Sequence, residues 1–151
     1  MMKVSKQDIN RLLQCNDITN KYGLNLSKHE ANMLVQNRIN ALKQNGRIEF
    51  KQGITADIIY EFCDSPYINK INYVDTVLEL TQIFYYYKSE CNDVLSDEEL
   101  IKYMKHSFNG KCQGCLELLR DRELYNMLNN LKHGRDLYYI EQEPVEEDDY
   151  E

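Results

Sequence analysis

Three times along this chain of 151 residues a Ser is followed three positions later by an acid: Ser5 with Asp8, Ser27 with Glu30, and Ser96 with Glu99. In such a pair the Ser oxygen accepts from a free backbone N–H of the first helical turn, and the acid reaches back to the N–H of the cap residue. Negative charge there also suits the positive end of the helix dipole. Asp is the less typical partner for the return contact, so the first of the three is the weakest. Two prolines and six glycines in the whole chain leave few of the turns that a β architecture needs. These features predict an all-α fold, an orthogonal bundle of about six helices.

Periodicity fills in the elements. A first helix over residues 5–15 buries Ile9, Leu12 and Leu13. A second, residues 27–45, carries the stripe Ala31, Leu34, Val35, Arg38 or Ile39, and Leu42, and Gly46 is its natural stop. Residues 47–51 alternate polar and apolar but have no strand to pair with, so they read as a loop that docks Ile48 and Phe50. A third helix covers residues 55–63, with Pro66 beyond it. The fourth, residues 73–90, carries two overlapping apolar stripes, which makes it the central helix. The fifth covers residues 96–108 and ends at Asn109-Gly110. Leu116 and Leu119 continue a helical pattern, Asp121 caps a last helix, and His133-Gly134 ends it.

Charge divides the chain in two. Residues 1–140 hold equal numbers of acids and bases, while residues 141–151 hold seven acids and no base, which is the whole net charge of −7. The division predicts one helical domain, residues 1–140, followed by an acidic, flexible tail, residues 141–151. The tail is expected to keep the protein in solution, with an acidic arm anchored by Tyr150 as the other reading. Neither part has the basic footprint of a nucleic-acid binder. No apolar run is long enough to span a bilayer, and the polar start after Lys3 lacks a secretory pattern, so a cytoplasmic protein is expected. Five cysteines, an odd number at wide spacing, argue against a disulfide framework.

Phe62-Cys63-Asp64-Ser65-Pro66-Tyr67, Leu78-Glu79-Leu80 with Phe84-Tyr85-Tyr86, and Gly110-Lys111-Cys112-Gln113-Gly114 resemble an uncharacterised family of small bacterial proteins, a domain of unknown function. The resemblance covers residues 5–140. It implies a bacterial, cytosolic, single-domain protein and brings no activity, ligand or catalytic residue.

Cys112-Gln113-Gly114-Cys115 is the local constellation that carries chemistry most readily. As a zinc site it supplies two of four ligands, and His106 or His133 would have to fold back to add to them, with no second CxxC present. As a redox pair, Cys112 would gain thiolate character from the preceding Lys111 and a following helix N-terminus, but the strand of a thioredoxin-like unit is missing. The leading reading is packing: Cys112, Cys115, Leu116 and Leu119 fall at i, i+3, i+4 and i+7, one face of a helix, and free Cys packs as a small hydrophobe. No catalytic, cofactor or metal residue is predicted outright.

Elsewhere the acids Asp97, Glu98 and Glu99 read as dipole-complementing charge, and Asp64-Ser65-Pro66 as a turn. Tyr85-Tyr86-Tyr87 points around its helix in three directions; the leading reading is a buried core with the hydroxyls at its edge, and the other makes Tyr85 and Tyr86 a candidate interaction surface. The leading expectation is a non-enzymatic cytosolic module that acts through a protein partner or self-association, without nucleic acid, membrane or cofactor. The alternative is a zinc-binding or thiol-redox protein built on Cys112 and Cys115.

Overall fold

The computed structural model describes residues 4–49 and 53–140. Among them the fold consists of six principal helices and no strand. The acidic segment 141–151 and Phe50 lie outside the described residues. No helix of the described residues is long and apolar enough to cross a membrane.

Helix α1 (Lys6–Gln14) starts at Ser5, whose Oγ accepts from the Asp8 N–H at 3.1 Å. The chain tightens at Cys15, runs on as a short turn of helix, Asn16–Thr19, and leaves through a 3-10 turn that ends on Gly23. Helix α2 (Lys28–Gln44) and helix α5 (Asp97–Asn109) open on complete capping boxes. The Glu30 N–H donates to Ser27 Oγ at 3.1 Å, and the Ser27 N–H donates to Glu30 Oε1 at 2.9 Å. Ser96 and Glu99 repeat the exchange at 3.1 and 2.8 Å. The first Ser-acid pair makes only the Ser contact, as the shorter Asp side chain leads one to expect. Gly46, at φ +63°, ends α2 with the Arg47 N–H on the Leu42 carbonyl and its own N–H on Lys43, which satisfies two orphan acceptors.

Helix α3 (Ile54–Phe62) and helix α4 (Tyr73–Glu90) follow. The two stripes of α4 place it at the centre, packed against α2, α3, α5 and the last helical stretch. Leu80 and Phe84 of α4 meet Leu34, Ile58, Leu100 and Met104 in one continuous buried cluster. Each such side chain contributes about 1.5–3 kcal/mol relative to staying in water. Lys88, buried near the end of α4, donates to the Leu95 carbonyl and pairs with Asp97 Oδ1 at 2.9 Å. It thereby ties the end of α4 to the start of α5.

Two local expectations are corrected. Ile48 does not dock: it is 74 % exposed. The segment is held by its charged residues instead. Glu49 Oε1 accepts from the Tyr85 hydroxyl at 2.9 Å and from Arg38 at 3.4 Å, and Arg47 bridges Glu49 Oε2 at 3.4 Å to Asp93 at 2.8 Å. A carboxylate that finds three donors competes well with a lone Ile for the inward position. Asp121 is not a helix cap either. The last helix, α6, spans residues 116–132 and begins five residues earlier. It is built of Leu116–Leu118, a π segment Leu119–Glu123, and Leu124–Lys132. The carboxylate of Asp121 is exposed on α6 and holds Arg120 at 2.8 and 3.0 Å. Gly134, at φ +66°, closes α6, and residues 135–140 turn back across it.

Candidate functional site

The turn that joins α5 to α6 holds the cysteine pair. Cys112 donates its N–H to the Ser107 carbonyl at 3.0 Å, and Gly114 donates to Phe108 at 2.8 Å, so the turn winds back onto the end of α5. Gln113 and Gly114 follow one another in the left-handed region, at φ +48° and +83°. A Cβ on Gly114 would lie 2.6 Å from Cβ and Cγ of Tyr67, so no side chain fits there. The bare backbone at Gly114 is what lets the loop residue Tyr67 approach this closely.

The pair therefore does not lie on a helical face, which corrects the stripe through Cys112, Cys115, Leu116 and Leu119. Cys115 is the N-cap of α6 and half-buried; Cys112 enters the core from the turn and is 2 % exposed. Burial pushes the Cys112 thiol up to about 11, and the nearby Glu123 carboxylate adds to the rise. At neutral pH such a thiol holds little thiolate. The helix N-terminus that would favour thiolate follows Cys115, not Cys112. Among the described residues no group of three or more His, Cys, Asp or Glu is gathered to hold a metal ion.

His106 sits in the last turn of α5, with its ring edge-on to Tyr138 at a centroid distance of 5.0 Å. Tyr138 also packs on Tyr103 at 5.0 Å. These rings form one wall of a pocket of about 520 Å³ between α5, α6 and residues 135–140. The opposite wall is α6, which presents Glu123, Asn126, Asn129 and Asn130; Lys111, Arg135 and Tyr139 also line the pocket. Asn130 donates to the carbonyls of Leu137 and Tyr139, both at 3.1 Å, which holds the returning segment in place. The Arg135 guanidinium lies over the Tyr139 ring at 4.8 Å.

The π segment positions this wall. Winding Leu119–Glu123 by five residues rather than four frees backbone groups from the helical ladder. The Arg120 carbonyl takes the Tyr87 hydroxyl of α4 as a donor. Glu123 is turned inward, 7 % exposed, with Oε2 held by Arg122 Nε at 2.7 Å. A sequence signal for the pocket exists and was missed: Asn126, Asn129 and Asn130 fall at i, i+3 and i+4 in α6. Glu123, Arg135 and Tyr138 carry no such signal, because their meeting depends on the π segment and on the return of the chain.

On the other side of the π segment lies an aromatic notch of about 360 Å³, lined by Tyr86, Tyr87, Arg120, Asp121 and Tyr125. Tyr86 is 50 % and Tyr125 is 54 % exposed, and the Tyr86 and Tyr87 rings meet edge to face at 5.0 Å. Tyr85 is not part of any surface. It is fully buried, with its hydroxyl between Arg38 and Glu49, and burial pushes its ionisation up. Of the two tyrosines assigned to an interaction surface, Tyr86 alone is available.

The profile of a family of unknown function (DUF6323) matches residues 11–137. No curated protein and no solved structure matches the chain.

Proposed function

We propose that this chain, which belongs to that family of unknown function (DUF6323), is a non-enzymatic cytoplasmic module that acts by binding another protein chain. The observation that carries the reading is the notch on α4 and α6, where two half-exposed tyrosines flank the Arg120–Asp121 pair. Tyr and Arg are enriched at the energetic centres of interfaces: Tyr offers a large, stiff contact area with a polar tip, and Arg a planar guanidinium that stacks on rings and donates several hydrogen bonds. A docked partner would cover the faces of Tyr86 and Tyr125 and stack on the guanidinium of Arg120, whose hydrogen bonds are already directed to Asp121.

The test is site-specific photocrosslinking in the native cell, with the crosslinker placed at Tyr86, at Tyr125 and at the exposed control Lys43. The expected result is one discrete protein adduct from Tyr86 and Tyr125, absent from Lys43 and lost on Arg120→Ala. The mass of the adduct separates self-association from a second protein. Absence of any adduct from both tyrosines, together with a monomer in sedimentation at high concentration, would overturn the reading.

A further inference from the structure

The pocket between α5, α6 and residues 135–140 lies apart from the notch and has a different chemistry. Its volume of about 520 Å³ falls within the range of small-ligand sites. Lys111 and Arg135 bring two positive charges to its lining, and the charge of Glu123 is offset by Arg122 at 2.7 Å. The three Asn side chains of α6 lie on one face at helical spacing, where Leu or Met would pack more cheaply against a covering segment. Tyr138 and Tyr139, each nearly half exposed, add aromatic faces at its edge. The π segment is an independent pointer. It gives up regular helical bonding, and what it places in the pocket wall is the buried Glu123.

We propose that this pocket binds a small phosphate monoester on a polar ring, of mononucleotide size. A monoester phosphate is close to a dianion at neutral pH, which suits two cations better than a single carboxylate does. The amides of Asn126 and Asn129 offer both donors and acceptors to the ring's polar edge, and the tyrosine faces offer stacking. Asn130 is a positioning residue, since its amide N–H groups are spent on the carbonyls of Leu137 and Tyr139.

Isothermal titration calorimetry of the full chain tests this, with AMP, GMP, CMP, UMP and glucose 6-phosphate as probes. Adenosine, glucose and inorganic phosphate serve as comparisons. Saturable binding of at least one monoester is expected, with Kd below about 1 mM and at least about tenfold tighter than both its dephosphorylated form and inorganic phosphate. Lys111→Ala should weaken that binding at least about tenfold, as should Arg135→Ala. Lys111 is exposed, so its removal leaves the fold intact even where that of Arg135 disturbs residues 135–140. Tyr86→Ala with Tyr125→Ala should leave the affinity unchanged, which keeps this site separate from the notch. The proposal fails if no monoester binds saturably, if binding ignores Lys111→Ala, or if inorganic phosphate binds as tightly as the esters.

Discussion

Gly114 shows how much a single position decides. Its φ of +83° and the 2.6 Å approach of Tyr67 leave room for no Cβ. Gly23, at φ +77°, has open space around it and faces only the backbone penalty. Gly23→Ala should therefore cost about 1–2 kcal/mol, while Gly114→Ala should cost about 3 kcal/mol or more because a packed ring must also move. Urea unfolding of the two variants measures the difference, and equal losses would refute the steric account. Tyr85 makes the complementary point. Read in sequence, it is one of three adjacent tyrosines without distinction. Its burial follows from Glu49 and Arg38, which lie 36 and 47 residues away and supply its hydroxyl with partners. No local pattern encodes such a meeting.

Helix ends were legible because caps are local. Each box uses atoms three residues apart, so Ser27 with Glu30 and Ser96 with Glu99 identify their helix starts without tertiary contacts. Ser27→Ala and Ser96→Ala should each destabilise the protein by about 1 kcal/mol. Glu30→Ala and Glu99→Ala each remove the return contact to the cap N–H, so Asp8→Ala, which has no such contact to lose, should cost less than either. Thermal unfolding orders the three acid variants; an equal or larger loss at Asp8 would contradict the pairing argument. The central place of α4 was legible for a related reason, since a wide apolar face has to be covered on several sides. The course of residues 110–123 was not. A helical spacing of Cys112, Cys115, Leu116 and Leu119 is compatible with one face of a helix, but two successive left-handed residues break that helix before it starts. Within the π segment the Arg120 carbonyl accepts from the Tyr87 hydroxyl of α4, a contact that no local spacing encodes.

Across the molecule, burial of ionisable groups sets a pH limit. Cys15, Cys63 and Cys112 are raised mainly by desolvation, Cys112 to about 11, and Tyr60 is raised to about 12, chiefly by its hydrogen bond to Cys15. A thiol whose folded value lies above its unfolded value favours the folded state while it is protonated. That contribution is complete below the unfolded value, about 8.5 for Cys, and is lost as pH rises through the folded value. The urea midpoint should therefore hold from pH 7 to 8.5 and fall steadily from pH 9 to 11. Cys112→Ala should reduce the slope of that fall, whereas an unchanged midpoint at pH 10.5 would contradict burial of these thiols.

The amino-acid order alone was enough for the six principal helices, most of their ends and the central role of α4, since each rests on spacing or composition within a few turns. Folding in three dimensions settled the rest: that Cys112 is a buried thiol entering from a turn, that Glu49 replaces Ile48 as the anchor of its segment, that Tyr86 is exposed and Tyr85 is not, and that α5, α6 and residues 135–140 enclose a polar pocket. Those outcomes depend on which distant groups meet and how far water is excluded from them, and both are properties of the packed chain rather than of any stretch of it.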